Sequence, residues 1–234
     1  MGNKTFIVAG LTGSGKTTLI SALVKRSANF SQKAGAFKPF SHSQLMHNAE
    51  DSLTDGELFC QVMTGEPSQA FVAPYLATEN YPIEMAYRRD GIRIDWAFLK
   101  ERKNLLSEHY NPLFIEVPAG LLTPLCETKN NLEWIIEQDA PIIYCLTPKK
   151  EEFAFQMAEI SLLKEKNLKF YLLINNLIPP RDGDYLFYLW EKIEMLSDQN
   201  IEGMLPFAKD LDLDKIAALV AEHLPSLIKE IDKP

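Results

Sequence analysis

Six short apolar runs, at residues 6–9, 34–40, 113–117, 141–146, 170–174 and 201–205, recur along the chain with helical stretches between them. Alternation of this kind predicts a parallel sheet wrapped by helices. The runs are near-continuously apolar, which puts both faces of the sheet under cover. The predicted fold class is α/β: a doubly wound, mostly parallel sheet in three Rossmann-like layers, forming one domain over residues 1–234. Ligands in such folds gather beyond the carboxyl ends of the strands. Three runs end in polar residues there: the second passes into Lys38-Pro39, the third into Glu116, and the fifth into Asn175-Asn176. All three ends are expected to open onto one crevice. Residues 211–231 read as a surface helix, with apolar positions at Leu213, Ile216, Leu219 and Val220.

The first run leads directly into Gly10-Leu11-Thr12-Gly13-Ser14-Gly15-Lys16-Thr17, a full match to G-x-x-x-x-G-K-[ST]. The glycines let successive backbone N–H groups turn inward on phosphate, and the following helix presents its positive end. Lys16 is placed to reach the β/γ-phosphates and Thr17 to hold Mg²⁺. After Thr17 and Thr18, Leu19, Ile20, Leu23 and Val24 share one helical face. Strand, loop and helix are thus all present, which makes the fold P-loop NTPase-like and the ligand a nucleoside triphosphate. Thr12, Gly13, Ser14, Gly15, Lys16, Thr17 and Thr18 form its expected phosphate site.

A length of 234 residues with 46% hydrophobic content can fill one sizeable core. No segment approaches a membrane-spanning run, and the N-terminus enters the first strand without a signal-peptide pattern, so no membrane partner is expected and the cytoplasm is the expected location. A net charge of −8 argues against a general nucleic-acid surface. Cys60, Cys126 and Cys145 are far apart and form no C-x-x-C pair; they are expected to be buried thiols.

Glu116 stands where ATPases place a carboxylate for Mg²⁺, although a strand-end acid can equally face solvent. Asp55, at the start of a predicted helix, reads locally as an N-cap. Lys38 precedes a proline, which fixes an extended backbone and aims its side chain at the crevice, unless it is simply solvated. His42 and His47 flank a loop and read as ordinary histidines.

In order and spacing these pieces resemble dethiobiotin synthetase, the ATP-dependent carboxylase of biotin synthesis, over nearly the whole chain. The family's second strand also ends in Lys-Pro, as Lys38-Pro39 does. Ala73-Pro74-Tyr75-Leu76 with Pro82 and Ala86 is similar to its Pro-Tyr segment. Residues 116–125 are similar to its E-G-A-G-G-x-x-x-P-L, residues 175–180 to its N-D-x-x-P-P, and Gly203-Met204-Leu205-Pro206 to its G-x-[IL]-P. The resemblance implies that 7,8-diaminononanoate and CO2 or bicarbonate are the substrates, ATP and Mg²⁺ the cofactors, and a homodimer the assembly. It implies Lys16 and Lys38 as catalytic residues and Thr17, Asp55 and Glu116 as metal ligands. Asn175 and Pro206 would serve the nucleotide base, and Thr12, Lys38 and Ser41 the substrate.

Four departures fall mostly on the diamine side. The family's loop reads G-T-D-T-x-x-G-K-T, one residue longer than the loop here. Its glycines after the metal-site glutamate become Val117, Pro118 and Ala119, where side chains fill space and Pro118 has no N–H to donate. Its Gly-rich helix start, which receives the substrate carboxylate, is here Thr147-Pro148-Lys149-Lys150-Glu151-Glu152-Phe153. Two glutamates in a first helical turn oppose a bound carboxylate, with Lys149 or Lys150 as a replacement charge. The fourth departure is Asn176, which stands for aspartate. These departures leave an alternative: a nucleotide-binding relative that has lost the diamine site and acts as a switch or interaction module.

Overall fold

The structure, a computed structural model, describes residues 4–29, 33–42, 53–79, 81–175, 183–206 and 212–233. The first half of the chain runs β1 (Thr5–Ala9), α1 (Lys16–Asn29), β2 (Gly35–Phe37), β3 (Phe40–His42), α2 (Asp55–Val62), α3 (Gln69–Val72), β4 (Tyr75–Ala77), α4 (Ile83–Asp90) and α5 (Trp96–His109). The second half runs β5 (Leu113–Glu116), β6 (Pro124–Cys126), β7 (Lys129–Asn130), α6 (Asn131–Gln138), β8 (Ile142–Leu146), α7 (Phe153–Glu165), β9 (Phe170–Asn175), α8 (Gly183–Ser197), β10 (Ile201–Leu205), α9 (Leu213–His223) and α10 (Pro225–Asp232).

Six strands form one sheet in the order β10-β9-β8-β1-β5-β2, and every pairing in it is parallel. All of β5 and β8 is buried, as is β1 after Thr5. That burial is the packing their continuous apolar runs require. β1 lies between β5 and β8, so the chain moves to one side of it for β2 and to the other for β8, β9 and β10. The crevice over its carboxyl end is the topological switch point where α/β sheets bind ligands.

Two elements differ from expectation. Residues 34–40 are not one strand: β2 ends at Phe37, and Lys38 N donates to Val72 O at 2.9 Å instead of to the sheet. Pro39 has no N–H with which to rejoin a ladder, and Phe40 starts a separate parallel pair of β3 with β4. The expected C-terminal helix is two helices, because Pro225 cannot continue α9 and instead opens α10 at its first turn. Ile216 and Val220 are buried as the pattern implied. No described helix is long and apolar enough to cross a membrane. Of the three cysteines, only Cys145 is buried; Cys60 and Cys126 are half-exposed free thiols, each on a peripheral element.

Candidate active site

The loop from β1 to α1 is set by backbone conformation. Gly10 has φ +141°, and a Cβ there would lie 2.5 Å from Cys145 O on the neighbouring strand, so only glycine lets the chain turn this close to β8. α1 begins at Lys16 with no acid in its first turn, which leaves its positive end available to an anion. Thr12 and Gly13 are exposed at the crest of the loop, and Gly15, Thr17 and Thr18 are half-buried. Ser14 is buried, and its Oγ has no hydrogen-bond partner among the described residues.

Lys16 is folded back into this loop. Its Nζ donates to Gly10 O and Leu11 O, both at 2.9 Å. Burial holds its pKa below the ordinary lysine value, with Glu116 acting in the opposite sense. An ammonium that is desolvated but met only by neutral carbonyls is poised to take an anionic partner.

At the mouth of the loop four side chains converge from three other places in the fold and α1. Thr17 Oγ1 donates to Glu116 at the end of β5, 2.9 Å from Oε2 and 3.1 Å from Oε1. Lys38, just past β2, has its Nζ 2.6 Å from Glu116 Oε1 and in direct contact with Asp55 Oδ2 at the start of α2. The Lys38 side chain is 9% exposed, that of Glu116 4% and that of Asp55 38%, so one acid is buried and the other reaches solvent. Burial works against the Lys38 charge, yet Glu116 and Asp55 outweigh it and hold the ammonium above the ordinary lysine value.

Asp55 does not cap α2. The N-cap is Thr54, whose side chain accepts from Glu57 N, while Glu57 reaches back to Thr54 N at 2.7 Å. The T-x-x-E spacing of such a capping box was present in the sequence and frees Asp55 for the crevice. Two carboxylates and a hydroxyl are hard oxygen donors of the kind Mg²⁺ takes while retaining waters and phosphate oxygens. The residues present therefore fit that ion. Among the described residues, no group of three or more His, Cys, Asp or Glu forms a fuller cage.

The remaining expected residues are nearby with other tasks. Asn175 Nδ2 donates to Ser14 O at 3.0 Å, bracing the loop from β9. Leu205 is in register with Asn175, which sets half-buried Pro206 beside it. Ser41 is buried on β3, and its hydroxyl donates to Tyr75 O at 3.0 Å. Residues 176–180 and His47 lie outside the described residues.

Two buried residues that gave no periodic or motif signal hold residues 117–121, the turn after Glu116. Glu159 accepts from Leu121 N and from Tyr144 OH, both at 2.6 Å, and burial raises its pKa against the pull of those donors. Asn131 Nδ2 donates to Gly120 O at 2.9 Å and contacts Pro118 O. Ala119 sits in the left-handed region at φ +49°.

The model of the AAA domain family matches residues 3–215. The chain belongs to this family. Within it, the ATP-dependent dethiobiotin synthetase BioD of Bacillus cereus is 25% identical over 203 residues, 86% of this chain and 82% of the relative. The same enzyme from a second strain is 24% identical over 221 residues, 94% and 90% of the two chains. The chain is thus similar over most of its length to dethiobiotin synthetases, at an identity that marks it as divergent from them. Among solved structures, the Pyrococcus furiosus cell division ATPase MinD superposes with a TM-score of 0.56 at 17% identity, over 97% of this chain and all of that one. That likeness is one of fold, a P-loop α/β domain.

Proposed function

We propose that the protein is an ATP- and Mg²⁺-dependent dethiobiotin synthase, which carboxylates 7,8-diaminononanoate and closes the cyclic urea. The observation that carries this reading is the joining of Thr17, Glu116, Lys38 and Asp55 in one cluster at the mouth of the phosphate loop. A nucleotide site alone needs the first two; a buried lysine from a separate strand end adds a cation for a second anionic reactant.

One amine of the diamine takes up CO2 to form a carbamate, losing a proton. A carbamate oxygen then attacks the γ-phosphorus and ADP leaves. The second amine attacks the carbonyl carbon, phosphate departs and the ring closes, with a second proton lost to solvent. Lys16, drawn off the Gly10 and Leu11 carbonyls, would follow the phosphoryl group, and Lys38 would hold the carbamate in line with it. Magnesium held by Thr17, Asp55 and Glu116 would neutralise charge on the phosphates. Asn175 and Pro206 would flank the base, with Thr12 and Ser41 on the diamine side.

The test is direct: purified protein with ATP, Mg²⁺, bicarbonate and 7,8-diaminononanoate is expected to yield dethiobiotin by mass spectrometry, and the diamine is expected to raise phosphate release. Lys16→Ala is expected to abolish turnover, and Lys38→Ala to abolish it while leaving ATP binding largely intact. ATP binding without product would favour a nucleotide-binding relative that has lost the diamine site. That second reading draws on the engagement of the Ser41 hydroxyl with Tyr75 O and on Pro118 in place of a glycine.

A further inference from the structure

We infer that Lys149 is a second phosphate-binding cation of this site, poised over the outer face of the loop and held in readiness by Glu152. The inference rests on the nucleotide part of the proposed function. Among the described residues, a Cβ built on Gly13, at the crest of the loop with φ +73°, would have one neighbour within 4 Å outside its own chain neighbours, Lys149 Nζ at 3.8 Å. Lys16 Nζ is on the loop's inner carbonyls, so the two ammonium groups address the same eight residues from different elements.

The segment that carries Lys149 is rigidly built. Thr147, the first residue beyond β8, is clamped at both backbone polar groups by buried Gln156 of α7: Thr147 N donates to Oε1 at 2.7 Å, and Nε2 donates to Thr147 O at 3.2 Å. Glu152 accepts from Thr147 Oγ1 at 2.5 Å and from Lys149 Nζ at 2.9 Å. It stands in the 3-10 turn Lys150–Glu152 ahead of α7, not in the first turn of that helix, and its charge is spent on Lys149. Of the two glutamates expected to oppose an anion, Glu152 instead aims a cation, and Glu151 in the same turn is exposed to solvent.

The Lys149 side chain is 35% exposed, at the rim of the crevice, where a long flexible stem can swing its head onto phosphate oxygens. Gly13 and Thr17 belong to one phosphate loop, with Thr17 at the carboxylate cluster, so a triphosphate cradled there would bring its β/γ end within reach of Lys149. Lys149 would then exchange one carboxylate partner for a more highly charged phosphate. Glu152 is the competing anion in that exchange.

The experiment is calorimetric titration of the wild-type protein and of K149M, K149R and E152Q with Mg²⁺ and a non-hydrolysable ATP analogue, ADP or AMP, alongside thermal melts. K149M is expected to weaken the triphosphate about tenfold, the loss of one partly exposed charge-assisted contact, and to leave AMP unchanged. K149R is expected to recover most of the loss, and E152Q to bind the triphosphate as tightly as wild type or more so. Equal weakening of all three nucleotides, or equal weakening by K149M and E152Q, would show a structural role and overturn the inference. So would a K149M protein that binds nucleotide normally and fails only with the diamine. Wild-type protein that binds no triphosphate at all would overturn the nucleotide reading itself.

Discussion

Replacing Lys38 with methionine removes the cation between Asp55 and Glu116 while keeping most of the buried stem. Methionine cannot neutralise Glu116, whose side chain is 4% exposed, so the variant leaves a buried carboxylate with Thr17 as its one remaining side-chain donor among the described residues. Breaking a buried ion pair from one side costs about 3–5 kcal/mol. Asp55, 38% exposed, can recover water, so the lower end of about 3 kcal/mol is the appropriate figure. For a chain of this size that corresponds to a melting point lowered by about 6–12 °C.

Divalent cation should reverse much of the loss. Mg²⁺ added to wild type must displace an ammonium 2.6 Å from Glu116, whereas in the variant it meets uncompensated oxygens. The Mg²⁺-induced rise in melting point is therefore expected to be larger in Lys38→Met than in wild type, without nucleotide, by differential scanning calorimetry. The alkaline limb offers an internal check. Because Lys38 is held above the ordinary lysine value in the folded state, its stabilisation is fully present below that value and lost as pH rises through the elevated one. Lys38→Met should lack that loss. Equal melting points, or equal Mg²⁺ responses, would refute the reading of Lys38 as the cation that occupies the metal oxygens.

Gly10→Ala places a Cβ 2.5 Å from Cys145 O at φ +141° and should cost about 1–3 kcal/mol or more in strain alone; a thermal melt and an ATP titration are expected to show loss of both stability and binding. Glu159→Gln retains the polar shape of a side chain that accepts from Leu121 N and Tyr144 OH while deleting a buried charge. The Glu159 pKa is raised in the fold, so wild-type stability falls as pH climbs from the ordinary glutamate value through the elevated one. Glu159→Gln should therefore gain on wild type in denaturant titrations at alkaline pH, and the gap should close at acid pH.

The strands and the phosphate loop were legible because each depends on local signals: continuous apolar runs and a fixed glycine spacing. The division of residues 34–40 and of 211–231 was written in Pro39 and Pro225, whose missing N–H ends a ladder or a helix even where apolar positions resume beyond it. At the site, Lys38, Asp55 and Glu116 could be nominated from strand and helix ends, but not their mutual contact, which depends on α2 packing toward β2 across a long stretch of sequence. Glu159 and Asn131 gave no signal. A lone glutamate on α7 and an asparagine at the start of α6 acquire meaning only when the turn after β5 is folded against them.

Each lysine at the crevice is already engaged: Lys16 on two carbonyls, Lys38 on two carboxylates and Lys149 on Glu152. Ligand binding is then an exchange of partners, and its gain depends on what is given up. Lys16 surrenders neutral acceptors and gains most from phosphate, in keeping with its depressed pKa. Under the proposed function, Lys38 surrenders two anions, one of them buried, and has little to gain from a carbamate until another cation takes over those oxygens. Substrate should therefore bind in order. Titration of the diamine with bicarbonate is expected to give weak or no binding to the free protein and clear binding after Mg²⁺ with a non-hydrolysable ATP analogue. Lys38→Met should bind the diamine weakly under both conditions, because the cation that holds the carbamate is gone and the Asp55 and Glu116 carboxylates it neutralised remain. Equal diamine affinity with and without the magnesium nucleotide in wild type would show that Lys38 leaves its carboxylates unaided.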